Sequence, residues 1–249
     1  PVKGPFCNDR LAKRCPIPMM RAPVKLEPAN WSVDVARNVY HIGRWGAGYY
    51  DINAKGHVVA KPLPGDDTAV ALSAVIQAAK KKGLSGPLLV RFQDILRHRV
   101  QSLCQAFDEA IERFEYGGHY HGVFPLKVNE LREVVEEVLD AGKDHAFGLE
   151  VGSKSELSAA LALQSNPHSL LICNGYKDAD FIQTALMGTR LGKKAILVVE
   201  KLDELQNIIA IAAREGVRPQ LGIRLRLLSR STGKWADSGG EDAKFGLNT

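Results

Sequence analysis

The stretch HGVFPLKVNELREVVEEVLDAGKDHAFGLEV, residues 121–151, decides the fold. It contains two apolar, strand-like runs, 121–128 and 146–151, and between them a segment, 130–141, with the apolar spacing of a helix. A strand, a helix and a second strand in this order are typical of a βα unit, in which the two strands run parallel. The stretch therefore predicts an α/β fold with a parallel sheet.

The same alternation of strands and helices continues on both sides of this stretch. The strand-like runs are LLVRF (88–92), HGVFPLKV (121–128), AFGLEV (146–151), SLLICNG (169–175), AILVVE (195–200) and PQLGIRLRL (219–227). The helix-like segments between them are Gln93–Glu115, Glu130–Ala141, Ser153–Gln164, Asp178–Leu191 and Leu202–Glu215. Such a repeat suits a barrel or an open doubly wound sheet. No GxGxxG motif follows a strand, which disfavours a dinucleotide-binding sheet.

Upstream of this alternation, the chain divides into two parts. Residues 1–35 lack apolar periodicity and are rich in Pro and basic residues, which predicts a disordered arm. Residues 36–86 include YHIGRWGAGYYDINAKGHVV (40–59), which predicts short strands joined in a hairpin, and Thr68–Lys82, which has the spacing of an amphipathic helix. At the other end, the polar stretch Ser229–Thr249 predicts a long loop, and long loops in compact domains are usually functional.

The net charge of +5 lies entirely in residues 1–25, so the rest of the chain is neutral. A basic arm of this kind is a solvated tail, a contact for nucleic acid or another anionic surface, or the remnant of a targeting leader. The solvated tail is the simplest of these, so we expect no nucleic-acid partner. Since no run of about 18 apolar residues occurs, we expect no membrane span either.

The cysteines and histidines show no metal-binding pattern. His119 and His121 form an HxH pair on one strand face, but no third ligand accompanies them at a suitable spacing, so we predict no metal site there. Cys104 and Cys173 lie in a helix-like and a strand-like run, which predicts small buried side chains and a reducing compartment. No CxxC or Cys/His zinc spacing occurs among the four cysteines, Cys7, Cys15, Cys104 and Cys173.

Lys127 lies at the end of the strand-like run HGVFPLKV. Active sites of parallel α/β folds form at the C-terminal ends of the strands, and a lysine there can bind a carbonyl compound covalently. The same position suits a surface lysine whose stem packs while its ammonium reaches water. From its position alone, the surface role is the simpler interpretation.

Charged residues occur at two further strand ends. Glu150 lies on the run AFGLEV and should point to the mouth of the sheet, whereas Glu156 falls in the first turn of the next helix and forms a capping box with Ser153. Arg224 and Arg226 share one face of an apolar strand, where a charge needs a partner or a bound anion. An edge strand with a solvated face is the alternative for these two arginines.

Several of these segments, in this order and spacing, resemble the biosynthetic arginine decarboxylases of bacteria and plants. The resemblance covers residues 36–249, and several of its motifs are specific to that family. The segments that carry it are WGAGYYDINAKGHV (45–58), FPLKVN (124–129), GLEVGSKSEL (148–157), LLICNGYKD (170–178), LGIRLRL (221–227) and SGGEDAKFGL (238–247).

This resemblance implies a pyridoxal 5′-phosphate (PLP) enzyme of fold type III. Such an enzyme has a PLP-binding (β/α)8 barrel, which is TIM-like, and a second β-domain built from both ends of its chain. By this comparison, residues 87–249 form a partial barrel of about five of the eight strands. Residues 36–86 form the N-terminal strands and helix of the β-domain. Further family motifs lie beyond Thr249, so the resemblance implies an incomplete chain.

The resemblance also assigns roles to single residues. Lys127 matches the lysine that binds PLP covalently, and Glu150 matches an acid at the barrel mouth close to the cofactor. Arg224 matches an arginine that helps to set the electrostatics of the cofactor. Three further residues fall in matched motifs without a definite role, namely Asn129, Glu156 and Lys244.

The implied activity is decarboxylation of L-arginine to agmatine and CO2 in polyamine biosynthesis. Family members commonly have Mg2+ besides PLP, although the sequence shows no metal site. The expected partner is a further copy of the chain, in a homo-oligomer, or a second chain that supplies the missing C-terminal part. The expected location is the cytoplasm, or a plastid if residues 1–35 are a leader remnant.

Two other functions stay open. One is another barrel PLP enzyme, such as a diaminopimelate or ornithine decarboxylase, although the motifs SGGEDAKFGL and NGYKD argue against it. The other is a non-catalytic or regulatory subunit derived from a truncated decarboxylase.

Overall fold

The computed structural model describes residues 31–226 and 245–247. Most of the predicted arm, the greater part of the loop predicted after Ser229, Lys244, Cys7 and Cys15 lie outside these residues. Helix α1, Val33–Tyr40, begins before the boundary predicted for the arm. It begins there because Ser32 caps it: the Ser32 hydroxyl accepts a hydrogen bond from the Val35 N–H at 3.2 Å.

The N-terminal part contains a small antiparallel sheet and three helices. Its helices after α1 are α2, Ile42–Trp45, and α3, Leu72–Lys81, and its strands are β1, Tyr50–Ile52, β2, Val58–Ala60, and β3, Val70–Ala71. The strands lie in the order β1-β2-β3. The predicted hairpin is confirmed, because Ile52 pairs with Val58 across a turn in which the Asn53 side chain accepts two backbone N–H bonds.

The C-terminal part is a five-stranded parallel sheet covered by helices. Its helices are α4, Gln93–Arg113, α5, Arg132–Ala141, α6, Lys154–Leu163, α7, Ala179–Arg190, and α8, Leu202–Glu215. Its strands are β4, Val123–Pro125, β5, Gly148–Val151, β6, Leu170–Cys173, β7, Lys194–Val199, and β8, Gln220–Ile223. All neighbours are parallel, in the order β4-β5-β6-β7-β8. The predicted α/β fold is confirmed, and β4 and β8 are the edges of this sheet within the described residues.

One predicted strand is wrong. The run LLVRF (88–92) is in no strand, and Leu89 is 78% exposed. An apolar run becomes a strand only where a neighbouring strand pairs with its backbone, and none of the strands in the described part of the chain pairs with this one. The predicted strand at 121–128 is also shorter than expected, since a 3-10 turn, Leu126–Val128, follows Pro125.

The core lies between one face of the parallel sheet and its helices. Along β7, buried and half-buried residues alternate, as the period of two in a strand requires. The fully buried sheet residues Leu149, Leu171 and Leu197 pack with α6 and α7 residues such as Leu157 and Ile182. Burial of each such side chain contributes about 1.5–3 kcal/mol to folding. The opposite face is only half-buried and includes Glu150, Ile172 and Ile196.

Candidate active site

The C-terminal ends of the five parallel strands lie side by side at one end of the sheet, and we call this end the mouth. Parallel α/β folds bind ligands at this end because backbone ends and loops converge there. The strands bring four charged side chains to the mouth or just behind it: Lys127 after β4, Glu150 in β5, Glu200 after β7 and Arg224 after β8.

Lys127 is held at the mouth by the turn that follows β4. The buried Leu126 anchors this turn in the core, and the Asn129 N–H closes it by donating to the Leu126 carbonyl at 3.1 Å. The Lys127 side chain is 67% exposed, and its Nζ lies 3.4 Å from Glu150 Oε1. The structure therefore presents a primary amine to the space above the mouth, where a ligand can reach it.

Glu150 stands beside Lys127 because of the strand register. Pro125 of β4 pairs with Glu150 of β5, so the turn after Pro125 begins next to the Glu150 carboxylate. The Glu150 side chain is only 19% exposed. A carboxylate in this position can hold the Lys127 ammonium by charge. The sequence placed Glu150 at the mouth, and the structure adds its contact with Lys127.

Glu156 has a different task from Glu150. Its Oε2 accepts the Gly152 N–H at 2.8 Å, and its own N–H donates to the Ser153 hydroxyl at 3.3 Å. This is the reciprocal capping predicted from the sequence, with the carboxylate bonded to the residue before Ser153 rather than to Ser153 itself. Glu156 therefore stabilises the start of α6.

Arg224 is paired with a carboxylate that the sequence analysis missed. Its Nη1 lies 3.4 Å from both carboxylate oxygens of Glu200, whose side chain has no exposed surface, whereas the Arg224 side chain is 45% exposed. Glu200 also accepts the Gly175 N–H at 2.7 Å. The sequence did contain a clue to Glu200, because this acid ends the apolar run AILVVE. A buried acid next to a core strand requires a partner.

Aromatic rings and a second lysine line the mouth around Arg224. The Arg224 guanidinium lies 5.1 Å from the centre of the Phe245 ring, and Phe245 lies 6.0 Å from the Tyr176 ring. The Lys201 ammonium lies 3.7 Å above the Tyr176 ring, which is a cation–π distance. Residues 245–247 are tied to the end of β8, because the Arg226 N–H donates to the Leu247 carbonyl at 2.9 Å.

A buried ion pair behind the mouth was also missed by the sequence analysis. Lys177 Nζ lies 3.5 Å from Glu204 Oε2, and both side chains are almost completely buried. Cys173 lies in the same region, where burial raises the pKa of its thiol to about 12 and the Lys177 ammonium lowers it only in part. The predicted burial of Cys104 and Cys173 is confirmed, since neither thiol side chain is exposed.

Neither a metal centre nor a membrane span is found in the described residues. The His119 and His121 rings lie 6.5 Å apart, and no group of three or more His, Cys, Asp or Glu side chains among residues 31–226 and 245–247 is arranged to hold a metal ion. No described helix has the length and apolar character needed to cross a bilayer.

Comparison with known proteins adds a family match. Residues 97–249 match the family model described as "Pyridoxal-dependent decarboxylase, pyridoxal binding domain". Two of the similar curated proteins are biosynthetic arginine decarboxylases, from Synechococcus sp. (43% identical over 92% of this chain and 36% of that protein) and from Pseudomonas aeruginosa (48% identical over 90% and 35%). The chain thus spans about a third of the length of these relatives.

Solved structures show the same architecture. A biosynthetic arginine decarboxylase from Campylobacter jejuni superimposes with a TM-score of 0.70 at 32% identity, covering 78% of this chain and 32% of that one. A diaminopimelate decarboxylase from M. jannaschi gives a TM-score of 0.58 at 20% identity over 80% and 41% of the two chains, which shows likeness of fold alone.

Proposed function

We propose that this chain, which belongs to the pyridoxal-dependent decarboxylase family, provides the PLP-binding part of an arginine decarboxylase. The proposed reaction converts L-arginine to agmatine and CO2. One observation carries the proposal: the strand that ends at Pro125 presents the Lys127 amine at the mouth, 3.4 Å from the Glu150 carboxylate.

The side chains at the mouth suit PLP. Lys127 offers an accessible primary amine, the group that bonds to an aldehyde such as that of PLP. When bound, PLP supplies a ring that takes up the electron pair left by the departing CO2. Lys127, Glu150 and Arg224 are the residues that would hold the cofactor in this proposal.

Glu150 would hold the Lys127 side chain, and Arg224 would attract the anionic groups of the ligand. The Glu150 carboxylate would hold the Lys127 side chain by charge, at 3.4 Å, where its amine faces the cofactor. The Arg224 guanidinium is a cation, so it favours anionic groups of a ligand above the mouth. Its partner Glu200 is buried, which fixes the guanidinium while leaving part of it open to the mouth.

Arginine as the substrate is supported by the relatives. Proteins named biosynthetic arginine decarboxylase match most of this chain at 43–48% identity, and the likeness includes a solved structure. The family-specific motifs SGGEDAKFGL and NGYKD agree with this assignment. Polyamine biosynthesis is the corresponding role.

The remaining expectations stay predictions. They are a homo-oligomer or a second chain as partner, Mg2+ by family analogy, and a cytoplasmic location. The plastid alternative gains no support from the relatives described above, which are bacterial.

Incubation with PLP tests the proposed cofactor site. We expect a visible absorbance band of the lysine-bound cofactor in the wild-type chain, and none in Lys127→Ala. The matched control is Lys154→Ala, which removes another exposed lysine paired with a carboxylate, Asp178, at 2.7 Å. This control should keep the band. An equal band in Lys127→Ala would overturn the assignment.

Agmatine production separates the two candidate functions. A band together with agmatine from L-arginine supports the enzyme. A band without agmatine, also in the presence of a chain that supplies the remainder of the relatives' length, supports the non-catalytic or regulatory subunit.

A further inference from the structure

The buried pair of Lys177 and Glu204 lies directly behind the mouth but does not reach it. The side chains are 0% and 5% exposed, and Lys177 Nζ lies 3.5 Å from Glu204 Oε2. Burying two charges is costly, and apolar side chains of similar size often give equal or greater stability. The reason for these two charges therefore lies in the backbone groups that they bind, rather than in added stability.

Glu204 connects two loops of the mouth. Its Oε1 accepts the Lys177 N–H at 2.9 Å, in the loop after β6, and its Oε2 accepts the Glu200 N–H at 2.9 Å, directly after β7. Glu204 lies in the first turn of α8, where the helix dipole also favours a carboxylate. One side chain thus joins the loops that follow the two paired strands.

Lys177 fixes the loop after β6 from inside. Its ammonium donates to the Gly175 carbonyl as well as to Glu204, so it closes the loop 174–177 around itself. Gly175 has a φ of +75°, and a Cβ at this position would lie 3.0 Å from the Gly152 carbonyl oxygen. The loop is therefore held in a conformation that only glycine adopts readily and that has little room to move.

The same loop determines where Glu200 points. The Gly175 N–H donates to Glu200 Oε1 at 2.7 Å, and both Glu200 oxygens lie 3.4 Å from Arg224 Nη1. A continuous set of contacts therefore runs from Lys177 through Glu204, Gly175 and Glu200 to Arg224. Arg224 is its outermost member and the part that a ligand in the mouth can meet.

We propose that Lys177 and Glu204 are positioning residues, which act through Glu200 to fix the Arg224 guanidinium at the mouth. Each Glu204 oxygen accepts one backbone N–H group, and the Lys177 ammonium supplies the opposite charge beside this carboxylate in the core. An apolar pair would fill the volume without fixing the loops. The inference rests on the proposed function only for the ligand that Arg224 meets.

Amide hydrogen exchange tests the positioning without any cofactor. In Lys177→Met and in Glu204→Gln, we expect the Gly175 and Glu200 amide protons to exchange about tenfold faster or more. The reason is that the side chains of Glu200 and of residue 204, which accept these two hydrogen bonds, are then no longer held in place. The exchange rates of amides in the centre of the sheet should change only by the amount that follows from the change in the free energy of unfolding. If Lys177→Met does not fold, Glu204→Gln carries the comparison, since it keeps the size and one acceptor oxygen.

Lys193→Met is the matched control. Lys193 also donates to a backbone carbonyl, that of Gln164, but it lies at the N-terminal ends of the strands, away from the mouth. It should leave the exchange of the Gly175 and Glu200 amides unchanged relative to global stability. Unchanged exchange in the Lys177 and Glu204 variants, or equal acceleration throughout the sheet, would overturn the inference.

A double-mutant cycle on PLP binding tests the connection to Arg224. Glu204→Gln and Arg224→Gln should each weaken PLP binding about tenfold and shift the pH profile of its absorbance band in the same direction. The double variant should be no weaker than Arg224→Gln alone, because Glu204 acts through Arg224. Additive losses would show that Glu204 has only a general structural role. If the wild-type chain binds no PLP, the proposed function fails, and hydrogen exchange alone decides the inference.

Discussion

At the residue scale, burial and pairing decide which side chains can react. Lys127 and Arg224 keep part of their surface open at the mouth, whereas Lys177 and Glu200 are buried. Charge alone does not distinguish these residues in the sequence. Lys127 and Arg224 can therefore meet a ligand. Lys177 and Glu200 hold other parts of the site in place.

Cys173 should be inert to alkylation in the folded chain. Its side chain is fully buried, and burial raises the pKa of its thiol to about 12, so almost no thiolate is present at pH 8. Treatment with iodoacetamide at pH 8, followed by peptide mass spectrometry, should show an unmodified Cys173 peptide. The same peptide should be modified in denaturant. Rapid modification under native conditions would contradict the buried position.

Asp51 should make the N-terminal sheet sensitive to acid. The hydrogen bonds from the Arg37 guanidinium lower the pKa of Asp51 from 3.8 to about 2, although burial opposes this change. A lowered pKa in the folded state means that the contribution to stability is full above pH 3.8 and is lost as the pH falls towards 2.

Asp51→Asn tests this contribution, which we expect to be about 1–2 kcal/mol after allowance for solvent screening of the half-exposed Arg37. Chemical unfolding between pH 2 and pH 6, followed in the N-terminal part, should show a weaker dependence on pH in the variant. An identical dependence in both chains would show that the Arg37–Asp51 pair adds no stability.

At the scale of helices and strands, local signals predicted the helices from α4 to α8 better than the strands, whereas α1 and α2 lie where an arm and short strands were predicted. The predicted helices from α4 to α8 agree with the structure within about two residues at each end, because apolar spacing and capping residues are encoded within each helix. The run LLVRF shows the opposite case. Its side chains suit a strand, but strand formation depends on a partner that local sequence does not specify.

Ser153→Ala should weaken the start of α6. The Ser153 hydroxyl accepts the Glu156 N–H at 3.3 Å, and loss of such a cap costs about 1 kcal/mol. Glu156→Ala, which frees the Gly152 N–H, should cost a similar amount. The free energy of unfolding in urea measures both. Full additivity in the double variant would contradict reciprocal capping, since the two residues share one motif.

At the scale of the whole molecule, the parallel sheet is what makes the mouth. The alternation of strands and helices from β4 to β8 was predicted from the sequence, and so was the place of Glu150 on a strand. Lys127 and Arg224 were predicted within strands and lie just after β4 and β8 instead. Sequence analysis did not predict the contacts through Lys177, Glu200 and Glu204. Those contacts depend on which loops face each other after folding, and the residues are far apart in sequence.

The two faces of the sheet should respond differently to mutation. Leu171 is fully buried between the sheet and its helices, whereas the neighbouring Ile172 lies on the half-buried face. Leu171→Ala should therefore cost about 2–5 kcal/mol of folding free energy, and Ile172→Ala clearly less. Urea unfolding of both variants measures the difference. Equal losses would contradict the assignment of the core to one face.

Mapping of the covalently bound cofactor tests the central claim most directly. The chain is incubated with PLP, reduced with borohydride and digested, and the modified peptide is identified by mass spectrometry. The account predicts that the added mass lies on the peptide with the sequence FPLKVN (124–129), on Lys127, and that prior mutation of Glu150 to Gln reduces its yield. The absence of any adduct, or an adduct on another lysine while Lys127 stays unmodified, would contradict it.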